Sequence, residues 1–310
     1  MLAGCGASSH PARSTTSQPS TTSQPPPAAP PRTVRKPRPP VPHAPFAIAQ
    51  RTFRLVDRSR SIHLPGGAVE PRTLVTVVRY PRAAGRRVPL IVFGHGFTQT
   101  PAPYSGLLDA WARAGYVVAA PVFPLENALA PGGPNESDLV NQPRDMSFVI
   151  TRMLAADDPL AHLIDPRRIV VAGHSDGGET ALAVAYDRFF RDPRVDAAMI
   201  LSGAKIPGVG GFDFPAPSPP LLAVQGTADS INPPSLTHDF YDIAPRPKYL
   251  LTLLGASHLE PYTGEEPQQG IVERTTIAFL NAYLASARPE LGPLRRAGDV
   301  PGLAVLDAEP

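Results

Sequence analysis

Apolar residues along this chain fall into short unbroken runs separated by amphipathic stretches. Residues 74–78 (Leu-Val-Thr-Val-Val) read as a strand closed by Tyr80-Pro81. Residues 89–93 form a continuous apolar run that stops at Gly94, the pattern of a strand buried on both faces. Residues 116–120, 168–172, 197–201, 221–225 and 249–254 repeat that pattern. Between the runs, apolar side chains recur at helical spacing. Leu107, Leu108 and Trp111 mark a helix over 104–114, and Met146, Val149, Ile150, Met153 and Leu154 mark one over 144–155. Further helices are predicted over 177–188, 233–244 and 271–285. Strand and helix in alternation predict an α/β fold, a mostly parallel central sheet with helices on both faces. In such sheets chemistry sits just beyond the carboxyl ends of the strands.

The ends of the chain differ from this body. Residues 1–45 hold twelve of the 41 prolines, with much Ser and Thr. Such a segment buries too little apolar surface to offset its ordering entropy, and its Pro content makes it an extended tether. The catalytic domain is expected over 46–286. Residues 287–310 are again rich in Pro and Gly, but Leu291, Leu294, Leu303, Val305 and Leu306 suit a segment docked on the domain. The single Cys, Cys5, heads the tether in Leu2-Ala3-Gly4-Cys5. This resembles the lipobox of bacterial lipoproteins, which implies lipidation at Cys5 and a place on the outer face of the cell membrane. A signal segment should precede such a lipobox, and only four residues precede Cys5; the alternative is a free thiol in a disordered tail on a cytoplasmic or secreted soluble protein.

Charge and Cys count narrow the function. The tether carries five basic residues and no acid, leaving 24 basic against 27 acidic residues beyond it, a net −3. A mildly acidic body is not expected to partner nucleic acid. One Cys excludes an internal disulfide framework and a Cys-built zinc site. No run of about eighteen apolar residues marks a membrane span.

After the strand at 168–172 comes Gly173-His174-Ser175-Asp176-Gly177-Gly178, a G-x-S-x-G between a strand and a helix. So tight a turn admits only small neighbours and lifts Ser175 to the helix N-terminus as a nucleophile. A serine hydroxyl needs an imidazole to take its proton, and the imidazole needs an acid to fix its tautomer. The expected chain order is Ser, acid, His. Asp229 follows the strand at 221–225, and His258 follows the strand at 249–254. Against His258, His10 and His43 lie in the tether, His63 and His162 lie away from strand ends, and His238 lies in a helix. His174 is expected to brace the elbow and His95 to brace the next motif. Glu260 is too near His258 along a loop to hold its ring, and Asp213 belongs to a Pro/Gly-rich loop. An oxyanion needs about two preorganised donors. The N–H groups of Asp176 and of Phe97, in the turn Gly94-His95-Gly96-Phe97-Thr98, are the candidates. The Asp176 carboxylate also predicts poor activity on anionic substrates.

With these residues assembled, the chain resembles bacterial α/β-hydrolases of the serine-esterase type. It is similar to platelet-activating-factor acetylhydrolase-like, chlorophyllase-like and cutinase-like enzymes over about residues 72–285. The resemblance rests on the motifs at 94–97, 116–121 and 143–148, on the elbow at 173–178, and on the Asp229 and His258 loops. It implies an α/β-hydrolase fold and cofactor-free hydrolysis of carboxylic esters. In that reading Ser175 is nucleophile, Asp229 acid, His258 base, and Phe97 and Asp176 the hole. Two departures weigh against polymer cleavage. Ser202-Gly203-Ala204-Lys205 replaces the Trp usual after the strand at 197–201, and one Cys precludes the usual C-terminal disulfide. Residues 202–219 are too few for a helical cap, so short to medium acyl esters are the expected substrates. Lipases, thioesterases and polyester hydrolases share the same triad. A catalytically silent binding or scaffold lipoprotein is the alternative of a different class. No metal or cofactor is expected, and the oligomeric state is not legible in the sequence.

Overall fold

A computed structural model describes residues 45–155, 157–285 and 289–310. Cys5, His10, His43 and nearly all of the tether lie outside the described residues. In chain order the elements are β1 (Ile48–His63), β2 (Val69–Pro81), β3 (Val88–Gly94), α1 (Ser105–Arg113) and β4 (Val117–Val122). Then come α2 (Gln142–Met153), β5 (Ile164–His174), α3 (Asp176–Tyr186), β6 (Val195–Leu201), β7 (Leu221–Gly226) and α4 (Pro234–Tyr241). The last are β8 (Lys248–Leu253), α5 (Glu260–Thr263), α6 (Gln268–Leu280), α7 (Leu291–Gly298) and β9 (Ala304–Glu309).

The strands make one sheet in the order β1-β2-β4-β3-β5-β6-β7-β8-β9. The six strands from β4 to β8 run parallel, β2 and β9 flank them antiparallel, and β1 pairs antiparallel with β2 at the outer edge. The continuous apolar run of β3 has a direct physical reading. Leu90 and Val92 face one core with Met146, Val149 and Ile150 of α2 and Leu182 of α3. Ile91 and Phe93 face a second core with Leu108 and Trp111 of α1 and Val272 and Phe279 of α6. Both faces are covered, so neither tolerates polar alternation. On the second face Trp111 Nε1 donates to Thr276 Oγ1 at 2.9 Å, tying α1 to α6.

The chain is an α/β-hydrolase fold. The topology also selects a site. After β3 the chain crosses to β4 on one side, then to β5 on the other. The β3/β5 boundary is therefore the switch point where crevices open at strand carboxyl ends. Residues 202–220, between β6 and β7, contain no helix, so no cap domain is inserted there.

Three elements differ from the sequence expectation. β1 lies upstream of the first predicted strand. β2 extends well beyond 74–78 at both ends. The C-terminal stretch supplies a helix and a strand: β9 pairs with β8 from Lys248↔Glu309 to Leu253↔Ala304, and Leu294 and Leu306 are buried.

Candidate active site

β5 ends at His174, and Ser175 takes φ 53°, ψ −125° before α3 begins at Asp176. Positive φ on a non-glycine residue is strained backbone, worth about 1–3 kcal/mol, and the surroundings must hold it. They do so by close packing. A Cβ on Gly173 would sit 1.9 Å from the Gly177 carbonyl oxygen, and one on Gly177 would sit 2.2 Å from the backbone of Gly94. Only glycine lets α3 descend so near β3 and β5. The Ser175 N–H donates to the Leu201 carbonyl at 3.0 Å, fixing the elbow to the end of β6.

Asp229 and His258 meet directly. His258 Nδ1 and Asp229 Oδ2 are 2.8 Å apart, which leaves Nε2 of the ring as the basic nitrogen. The other carboxylate oxygen of Asp229 accepts the N–H groups of Ile231 (3.0 Å) and Asn232 (2.9 Å). Gln225 Nε2 adds a donor to Oδ2 at 3.2 Å. Burial pushes the Asp229 carboxyl up, but the His258 hydrogen bond and charge and the two amide donors outweigh it and hold the group below its ordinary range.

Ser175 comes to the same rim through its neighbour. His174 is fully buried; its Nε2 lies 2.8 Å from the His258 carbonyl, and the two imidazoles stand 4.7 Å apart. Its Nδ1 lies 2.8 Å from the Tyr104 hydroxyl, which also accepts the Gly96 N–H at 3.3 Å. Tyr104 and His174 thus link the turn after β3, the elbow and the His258 loop in one chain of hydrogen bonds. Ser175, Asp176, Asp229 and His258 are all buried.

The turn after β3 is braced as expected, and by a buried residue rather than a surface one. His95 Nδ1 meets the Gly96 carbonyl at 2.9 Å, and its Nε2 accepts the Phe123 N–H at 3.0 Å. Gly96 is so close to the elbow that a Cβ there would lie 3.0 Å from the Ser175 Cβ. Phe97 follows in this turn, and Asp176 N–H belongs to the first turn of α3, where amides have no intrahelical acceptor.

The rival residues are placed elsewhere. His63 and His162 are exposed, and His238 pairs with Asp242 on the outside of α4. Asp213 is exposed and pairs with Arg188. The Glu260 carboxylate accepts from Ser257 Oγ and the Leu259 N–H at the start of α5. The loop after β6, where the resemblance had pointed to a Trp, carries a buried Ser202 whose hydroxyl lies 2.9 Å from that of Tyr262.

Beside the elbow stands a group of carboxyls that sequence reasoning did not collect. Glu126, Asp176 and Glu179 are buried, and their pKa values are pushed up to about 9, about 6 and about 8, in each case chiefly by burial. The neighbouring Ser175 hydroxyl is among the groups that pull the Asp176 carboxyl back down against its burial. Among the described residues, no group of three or more His, Cys, Asp or Glu side chains is arranged to hold a metal ion. No described helix is long and apolar enough to cross a membrane.

Residues 59–204 match the family model described as chlorophyllase. The matched segment includes the Gly96-Phe97 turn and the Ser175 elbow. Asp229 and His258 lie beyond it, so their pairing rests on the geometry alone. No curated protein matches the chain at a significant level.

Proposed function

We propose that this protein is a serine hydrolase that cleaves carboxylic esters of short to medium acyl length through an acyl-enzyme on Ser175. The observation that carries the reading is the His258–Asp229 hydrogen bond of 2.8 Å at the strand-end rim, with the His258 carbonyl held by the residue that precedes Ser175. The match to the chlorophyllase family model over the elbow supports it.

In this mechanism Ser175 Oγ attacks the ester carbonyl carbon as its proton passes to His258 Nε2. Asp229 holds Nδ1–H and stabilises the imidazolium. The oxyanion is met by the N–H groups of Asp176 and Phe97. His258 returns the proton to the leaving alkoxide, and the alcohol departs. Water then attacks the acyl-enzyme with His258 again as base, releasing the acid and regenerating Ser175. No helical lid follows β6, which favours small soluble esters over emulsified long-chain lipid. Asp176 beside the nucleophile disfavours anionic acyl groups.

A fluorophosphonate should label the wild-type protein at Ser175, and Ser175→Ala should abolish both labelling and hydrolysis of chromogenic esters. Asp229→Asn should lower kcat by roughly 10³–10⁴-fold with the fold intact, because the imidazole is held in the wrong tautomer. A folded wild type that neither labels nor cleaves any ester of graded acyl length is instead a silent binding protein. Lipidation at Cys5 belongs to the same proposal. Membrane partitioning of the product made from its full reading frame, and its loss in Cys5→Ser, tests that anchor.

A further inference from the structure

Glu126 lies in the loop after β4, and ester hydrolysis by the triad gives it no part. Its backbone is stitched to the oxyanion turn. The Thr98 N–H donates to the Glu126 carbonyl at 2.9 Å, and the Ala128 N–H returns to the Thr98 carbonyl at 3.2 Å, like a short piece of sheet. Thr98 is the residue after Phe97 and itself takes φ 61°.

The side chain of Glu126 points a different way and is fully buried. Gln142 Nε2 of α2 donates to its Oε2, and Thr180 Oγ1 of α3 donates to Gln142 Oε1 at 2.8 Å, which fixes the amide orientation. The other oxygen, Oε1, has no donor among the described residues. Neither has Asp176 Oδ2. Yet the two carboxyls act on each other: the Asp176 charge pushes Glu126 up, and a hydrogen bond from Glu126 pulls Asp176 down against its burial. Two carboxylates only accept, so such a pair cannot bond. One proton between them turns one oxygen into a donor.

We propose that Glu126 is a positioning residue for the oxyanion hole: protonated, it donates to the Asp176 carboxylate, while its backbone carbonyl holds Thr98, so that one residue spaces the Asp176 and Phe97 amides. The proposal rests on the ester-hydrolase reading above. Burial and then the charge of Asp176 push Glu126 up to about 9, and burial pushes Asp176 up to about 6, so between these values the pair holds one proton. The other charges facing the pair are Glu179 of α3, Glu136 and Asp138 of the short helix Glu136–Asn141, and His258. Asp138 is neutralised by Arg72 at 2.6 Å. Above pH 9 Glu126 ionises beside Asp176, repulsion replaces the bond, and the α3 terminus loses its brace.

The test compares wild type, Glu126→Gln and Glu126→Leu on a soluble chromogenic ester from pH 6 to 10, with folding checked by circular dichroism. Losing one hole donor costs on the order of 10²–10³-fold in kcat, and displacing one costs less. Glu126→Leu should lower kcat at pH 7.5 by roughly 10–100-fold with KM nearly unchanged. Glu126→Gln, which donates at every pH, should recover most of that loss and abolish the alkaline fall in kcat. A folded Glu126→Leu within about twofold of wild type overturns the proposal, as does a Glu126→Gln profile that keeps the wild-type alkaline limb. If Glu126→Leu does not fold, the Glu126→Gln profile decides alone. A wild type that cleaves no ester overturns the ester-hydrolase reading and this one with it, whereas an active wild type with normal variants overturns only this one.

Discussion

His95 and His174 are both fully buried, and burial, the dominant cause for each, pushes them down to about 4 and about 3. Both imidazoles are therefore neutral at working pH, with one nitrogen to donate and one to accept. Each finds partners of the required kind. His95 takes the Phe123 N–H on Nε2, so Nδ1–H points to the Gly96 carbonyl. His174 takes the Tyr104 O–H on Nδ1, so Nε2–H points to the His258 carbonyl. Tyr104 is the weak link, because one hydroxyl serves both Gly96 and His174. In Tyr104→Phe two buried polar groups lose a partner, which costs about 1–3 kcal/mol. The expected outcome is a stability loss of that size in denaturant unfolding, with kcat lowered about tenfold as the base loop and turn drift apart. Unchanged kcat and stability would remove Tyr104 from the network. The sequence offered no sign of this tyrosine. Ser175, Asp229 and His258 stood out as candidates because they follow buried strands, whereas Tyr104 opens a helix and its key partner is 70 residues away. Glu126 was hidden for the same reason, in a polar loop where a carboxylate is normally solvated.

At the scale of elements, legibility follows burial. The parallel strands β3 to β8 were readable because both faces are covered, so each is an unbroken apolar run. α1 and α2 were readable because each presents one apolar stripe to one core. β1 was not. It is an edge strand carrying Arg51, Arg54, Arg58 and Arg60, most of its residues reach solvent, and a register shift between Asp57 and Ser61 breaks its alternation. Such charge suits an edge that must not recruit another strand. β9 was hidden by Asp307 and Glu309, which break up its apolar run. Yet β9 covers the opposite edge of the sheet, and Leu306 and Leu294 close the core behind β8. Each fully buried leucine is worth about 1.5–3 kcal/mol. A chain ending at residue 290 should therefore lose roughly 3–6 kcal/mol and melt about 10 °C or more lower. It should also aggregate through the bared β8 edge, visible by light scattering on heating. Equal melting temperatures for the two chains would show the extension to be an appendage.

Across the whole molecule the buried carboxyls set a pH dependence whose sign can be worked out. Glu126, Glu179 and Asp176 are held up at about 9, about 8 and about 6, against ordinary values near 4.5 and 3.8. The folded state keeps these protons where the unfolded chain has released them, so folding stability falls as pH rises from about 4.5 towards 9. Asp57, Asp165, Asp192 and Asp229 are held below their ordinary value, so their contribution is present above about 3.8 and lost as pH falls beneath it. The two sets together place maximal stability in mild acid, near pH 5. The melting temperature should drop from pH 5 to pH 9 by about 5 °C or more at fixed ionic strength. The drop should shrink in Glu179→Gln, whose amide carries no proton to lose, and shrink further in the double variant with Glu126→Gln. A melting temperature that is flat or rises over that range would mean these carboxyls are solvated and ionised. The cost is concentrated beside Ser175, at the elbow, and local stability is commonly given up where a site is built. Thermal scans and ester kinetics on the same variants therefore read one proton inventory in two ways. Glu179→Gln should move the melting curve while leaving the alkaline limb of kcat in place, and Glu126→Gln should move both.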